Sequence, residues 1–306
     1  MQVFDRAGVR RHRARAAGSF GRYDFLMKEV GERLADRLDD VKRSFPLALD
    51  LGCHDGTLAQ LLGGRGHIET LVEADAAPAM LRAAAGRDSA VGRRARVAAD
   101  EELLPFADGS FDLVLSNLSL HWVNDLPGAL LQINHALKPD GLFLGTMLGG
   151  DTLHELRHAL LTAEAEVEEG AGPRVSPFAQ SQDAAGLLQR AGFALPVTDL
   201  DTLTVTYPNA LKLMDDLRGM GESNAVMERR KAWSRRETLL HAAQVYEDTY
   251  GDADGKVPAT FQVISLTAWR PDSSQPLPLR PGQFDTSLAD ALDAEEVSTG
   301  VKARPH

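Results

Sequence analysis

The 306-residue chain has a single cysteine, Cys53. No internal disulfide framework can staple it, and a lone thiol fits a reducing compartment. Basic residues are in deficit: 33 Lys and Arg against 44 Asp and Glu give a net charge of −11. That disfavours a nucleic-acid substrate, whose binding rests on neutralised phosphates. No apolar run reaches the roughly 20 residues of a membrane helix, and no secretory apolar segment opens the chain. What is there is 43% hydrophobic and 25% charged, ordinary for a globular protein, in a length that suits one large α/β domain with additions.

The start carries Arg6, Arg10, Arg11, Arg13 and Arg15 against Asp5 alone. A transit peptide is rich in arginine and also in serine. Here no serine or threonine precedes Ser19 and the segment has almost no apolar face, so a solvated or partner-contacting arm is expected. Over 22–44, Leu26, Val30, Leu34, Leu38 and Val41 recur every three or four residues and predict an amphipathic helix. Apolar segments at 47–51, 70–74, 97–99, 111–116 and 142–148 then alternate with helical patterns. This is the signature of an α/β, doubly wound, mostly parallel sheet. Two late strands, 197–205 and 261–269, would bring the sheet to seven strands, with an inserted helical cap between them. The organisation expected is an N-terminal arm and helix over 1–45, a cofactor-binding core over 46–150, cap and last strands over 151–270, and a proline-marked disordered tail over 271–306.

Asp50, Asp75 and Asp100 close successive strands, and Gly52 and Gly56 lie in the first strand-to-helix turn. Ligands of open α/β sheets bind at the carboxyl ends of the strands. Glycines permit close backbone approach, the following helix N-terminus could receive a carboxylate, and an acid about 20 residues on can hold a ribose. A dinucleotide fingerprint would read G-x-G-x-x-G, whereas this turn has His54 at the middle glycine position. An acid beside the turn suits a ligand with an ammonium or sulfonium group, which S-adenosylmethionine has.

At these residues the chain resembles a known family. Asp50-Leu-Gly52-Cys53, Asp75 through Met80-Leu81, Asp100-Glu101 through Pro105-Phe106, Ser110-Phe111-Asp112 and Leu137-Lys-Pro139-Asp-Gly141 are similar to the successive motifs of class I, type 11, S-adenosylmethionine-dependent methyltransferases. The resemblance implies their Rossmann-like fold and S-adenosyl-L-methionine as cofactor. It implies Asp50, Gly52, Cys53 and Gly56 at the methionine part, Asp75 on the ribose, Met80, Asp100 and Glu101 toward the adenine, and Asn117 at the sulfonium edge. Phe4-Asp5-Arg6, Gly150-Asp151 through Arg157, Val175 through Phe178, Gly219 through Asn224 and Val257 through Thr260 further resemble the complex I assembly factors of the arginine-hydroxylase type and their bacterial relatives. That narrower likeness implies a protein substrate, the quinone-proximal iron–sulfur subunit of complex I. It also admits a cofactor-binding chaperone without turnover, and peripheral contact with a membrane. Without a convincing presequence, a bacterial cytoplasmic homologue is the simpler reading, rather than one of the mitochondrial matrix.

The residues themselves suggest methyl transfer as the default reaction. It asks the protein mainly to align an acceptor. His121 is a candidate general base, with Trp122 beside it as a pocket wall. In the Gly219–Asn224 loop, Glu222 and Asn224 could hold a guanidinium through charge-assisted hydrogen bonds. His154-Glu155-Leu156-Arg157-His158 spells H-E-x-x-H, but no third ligand completes a zinc site. Glu155 and Arg157 are expected to point at the pocket or at each other, and no metal is assigned.

Overall fold

Strand β1 (Leu47–Leu51) shows why the sheet forms where it does. Ala48 packs into one buried cluster and Leu49 and Leu51 into another, the period-two alternation of a strand covered on both faces. The protein is described here by a computed structural model over residues 2–168 and 170–276. Around β1 lie β2 (Thr70–Asp75), β3 (Arg93–Ala98), β4 (Phe111–Ser116), β5 (Leu137–Leu148), β6 (Ala194–Tyr207) and β7 (Val257–Trp269), in the order β3-β2-β1-β4-β5-β7-β6. The first five pair in parallel, and β7 runs antiparallel to β5 and β6. The order in which successive strands are added therefore reverses at β1, where β2 and β4 flank it in parallel, which is the switch point at which such sheets open a ligand crevice.

Helices α2 (Phe25–Asp36) and α3 (Thr57–Leu61) share one cluster with Ala48, Leu71, Leu113 and Leu142. Helices α5 (Leu126–Ala136) and α7 (Ser181–Arg190) cover the opposite face with Val114, Phe143 and Ile264. A third cluster joins α1 (Arg6–Ala16), α2, α6 (His154–Glu168), α8 (Ala210–Gly219) and α9 (Arg236–Tyr250) to the start of β7. Helix α4 (Pro78–Ala85) follows β2 and buries Met80 in this same cluster.

Three expectations shift. The basic start is not a solvated arm: it is α1, N-capped by Asp5 and burying Gly8, Val9, Arg13 and Ala16. Strand β3 begins at Arg93, before the expected 97, because an edge strand of arginines shows no apolar alternation. The Lys138–Gly141 turn sits inside β5 as an irregularity, with Asp140 at φ 60°. The expected disordered tail lies, beyond residue 276, outside the described residues. Among the described residues no helix is long and apolar enough to cross a membrane.

Asn117, just past β4, ties three elements together. Its Nδ2 donates to Met27 O of α2 at 2.8 Å and its Oδ1 accepts from Thr146 Oγ1 of β5 at 2.9 Å. Asn117→Ala removes both bonds and leaves Thr146 Oγ1 with the amide of Leu118 alone. Urea unfolding should show it less stable by about 2 kcal/mol, with the m-value unchanged.

Candidate functional site

The carboxyl ends of β1 and β2, with the segment after β3, gather four buried acids. Each is compensated differently. Glu73 is held by Arg94 and by Arg96 at 3.1 Å. Glu101 accepts from Arg13 Nη1 at 2.8 Å, from Ser119 Oγ, and from Arg6. Asp75 accepts from the backbone amides of His54 (3.2 Å) and Ala77 (2.7 Å) and, more distantly, from Arg13 Nη1 at 3.4 Å. Asp50 is fully buried, and neither carboxylate oxygen has a partner among the described residues. Burial, reinforced by Glu73 and Asp75, pushes its carboxyl well above the usual range. Burial also raises Asp75, while the guanidinium groups of Arg13 and Arg6 overcome the burial of Glu101 and hold it far below that range.

The turn between β1 and α3 shapes the floor of this cradle. Gly52 has φ 73°, and a Cβ there would overlap Ser119 Oγ. Gly56 (φ 79°) makes room on the other side, where a Cβ would press on the Glu73–Arg94 pair at 2.8 Å. Gly56 thus serves packing behind the turn. His54 stacks on Phe20 with ring centroids 5.5 Å apart, and neither ring nitrogen has a partner. Burial and Arg13 lower its pKa to about 3, so the ring is neutral. The Cys53 thiol is buried and pushed up by that burial.

A second site lies across α1. Glu222 Oε2 accepts from His121 Nε2 at 3.0 Å and from Trp122 Nε1 at 2.9 Å, while its buried Oε1 has no partner. A carboxylate can only accept, so His121 carries its proton on Nε2. Burial alone would raise Glu222, but His121 and Arg13 outweigh it and keep the group below its ordinary value, hence ionised at neutral pH. Glu222 lines a cavity of about 430 Å³ whose walls include Leu26, Leu148, Leu156, Met214 and Phe261.

Residues 49–145 match the methyltransferase domain family. A zebrafish (Danio rerio) protein described as "Arginine-hydroxylase NDUFAF5, mitochondrial" is 47% identical, over 95% of this chain and 89% of its own length. The human protein of that description is 46% identical over 95% and 83%. A malonyl-[acyl-carrier protein] O-methyltransferase of Methylovorus is 38% identical over 92% and 95%. The chain belongs to the class I S-adenosylmethionine-dependent methyltransferase family. The YcgJ protein of Bacillus shares the fold, with a TM-score of 0.55 at 15% identity over 78% of this chain and 98% of that one.

The cofactor of this family is S-adenosylmethionine, and the cradle fits it. Asp50, buried with two free acceptor oxygens, would take the ammonium of the methionine part. Asp75, at the end of β2, would take the ribose hydroxyls, and the Asp100–Glu101 turn would hold the adenine end. The cofactor supplies an activated methyl group; the chain's own residues hold and orient it. In this structure several anticipated roles move. Asn117, expected at the sulfonium edge, spends its amide on α2 and β5. Asn224, expected on a substrate cation, instead donates to Pro173 O at 2.6 Å and accepts from Val226 N. Met80 is core. Glu155 accepts from Thr260, and Arg157 donates to Thr152 O. His154 and His158 pack on Tyr250.

Arg13 and Arg6 went unnoticed in the sequence as site residues. A signal was present: Val9, Arg13, Ala16 and Phe20 follow an i, i+4, i+7, i+11 spacing, which puts Arg13 on the buried stripe.

Asp75→Asn should bind S-adenosylmethionine at least about tenfold more weakly by calorimetry, the loss of one charged acceptor. In the wild type the raised Asp75 carboxyl takes up a proton before an exposed aspartate would. Affinity should therefore fall on mild acidification, and that acid limb should be shallower in Asp75→Asn, where Asp50, also raised by burial, still takes up a proton.

Proposed function

We propose that the protein is an S-adenosylmethionine-dependent enzyme acting on an arginine side chain of a protein, with the quinone-proximal iron–sulfur subunit of complex I as substrate. One observation carries this reading: the ionised Glu222, whose Oε1 is buried and has no hydrogen-bond partner among the described residues, stands at the wall of a cavity lined by leucines on one part and by Arg174, Arg218, Arg229 and Arg230 on another. An unmatched buried carboxylate is costly until a donor reaches it. A guanidinium on an aliphatic stem supplies the donors, and the leucine-rich walls suit the stem. His121 and Trp122 fix the carboxylate so that its free oxygen keeps one direction. The relatives described as arginine hydroxylases match along nearly the whole chain, which supports the same substrate class.

A second reading has its own support. The relatives described as O-methyltransferases act on a malonyl group, and Arg218 at the cavity wall has no carboxylate partner among the described residues. An anionic acceptor would approach from that side. Co-expression with the iron–sulfur subunit, followed by peptide mass analysis, separates the possibilities. An arginine bearing an added oxygen matches the hydroxylase relatives, and an added CH₂ indicates methyl transfer. No modified arginine rejects the proposal. Glu222→Gln should cut modification by about tenfold or more, since a neutral amide gives up the charge-assisted bond. Substituting Glu222 without any loss would remove the cation-holding role.

A further inference from the structure

The cofactor's methionine part ends in a carboxylate, which needs a donor. The helix after Gly56 is poorly suited to it. Helix α3 has only five residues, and an acid already stands at its start: Asp55 accepts from Thr57 Oγ1 at 2.7 Å and pairs with Arg87. Arg87 is further held by Asp24 at 2.8 Å, and Arg94 by Glu73 and the carbonyls of Ala84 and Arg87. His54 is neutral. Arg6 also has a buried Nε without a hydrogen-bond partner among the described residues, but its Nη atoms are taken by Asp100, Glu101 and Trp122 O, and its side chain is 15% exposed.

Arg13 is different. Its guanidinium is 1% exposed and lies in the cradle itself. Nη1 donates to Glu101 at 2.8 Å and Nη2 to Ser119 Oγ at 2.9 Å, and Ser119 Oγ stands against the Gly52 turn. These two contacts anchor it. Three of its five N–H groups remain in play: one on Nη1, whose contact with Asp75 is long at 3.4 Å, the second on Nη2, and Nε, which is buried with no hydrogen-bond partner among the described residues. A fully buried guanidinium N–H without an acceptor is rare in a finished site. Once ribose hydroxyls donate to Asp75, that acid's claim on Arg13 weakens further.

We infer that Arg13, from a helix outside the matched 49–145 segment, binds the carboxylate of S-adenosylmethionine. Asp50 and Arg13 then act as a complementary pair, the acid for the ammonium and the guanidinium for the carboxylate. This assignment rests on the family's cofactor and is independent of which acceptor the enzyme uses.

Calorimetry on the full chain with S-adenosylmethionine, its decarboxylated analogue and 5′-methylthioadenosine tests it. The wild type should bind the decarboxylated analogue about 10- to 100-fold more weakly than S-adenosylmethionine, the worth of a charge-assisted bond. Arg13→Met should lose that same factor for S-adenosylmethionine alone, leaving the other two ligands near their wild-type affinities. Equal weakening of all three would mean that Arg13 merely braces the cradle. Unchanged or tighter S-adenosylmethionine binding would mean that it only competes for Asp75. Either result overturns the assignment. If Arg13→Met does not fold, the wild-type comparison still decides: equal affinity for the carboxylated and decarboxylated ligands rejects it.

Discussion

Buried negative charge at the ends of β1 and β2 is the constraint around which the molecule is arranged. Taking a carboxylate out of water costs several kcal/mol unless cations and hydrogen bonds replace the solvent. Glu73, Asp75 and Glu101 each receive such replacement. Asp50, on the central strand, does not. Asp50 is thus the one acid of the four whose charge no hydrogen bond or ion pair among the described residues compensates, and burial raises its carboxyl accordingly. The sheet order creates the cluster, because β1 lies between β2 and β4 and brings their ends together.

Arg94 and Arg96, which compensate Glu73, lie inside the segment that matches the methyltransferase domain, but the charges that compensate Glu101 do not. Arg6 and Arg13 stand on α1, ahead of residue 49. Helix α1 therefore completes the site, and its docking is electrostatic as well as apolar. Val9, Ala16 and Phe20 supply the packing, while Arg13 projects from the same stripe into the acids. Detaching α1 would expose Glu101 to the full cost of an unpaired buried carboxylate.

Much of the architecture was legible because strands and helices declare themselves by period. The cofactor acids were legible for a related reason: strand ends fix where such side chains can lie. What escaped was partnership. Asn117 and Asn224 are the residue types a substrate or cofactor site uses, yet both are consumed by nearby backbone and hydroxyl groups. Pattern cannot show which acceptor an amide finds when the acceptors come from α2 or from Pro173. Glu222 was readable as a carboxylate in a glycine-bordered loop, but its clamp to His121 and Trp122 spans about a hundred residues of sequence. Arg13 hid in a run of arginines, where only the helical stripe separates the buried one from its solvated neighbours.

The same helix that brings Arg6 and Arg13 to the buried acids also holds the loop that carries Glu222. His12 Nδ1 lies 3.1 Å from Ser223 O, Arg15 donates to Ser223 Oγ at 3.2 Å, and the amide of Asp5 donates to Ala225 O at 2.7 Å. Arg13 is thus flanked by residues that position Glu222, and its charge helps keep Glu222 ionised. Any ligand that redistributes the bonds of Arg13 acts on an element that also carries the Glu222 loop, and coupling of that kind would be reciprocal. Helix α1, which composition alone would assign to solvent, touches both the buried acids and that loop.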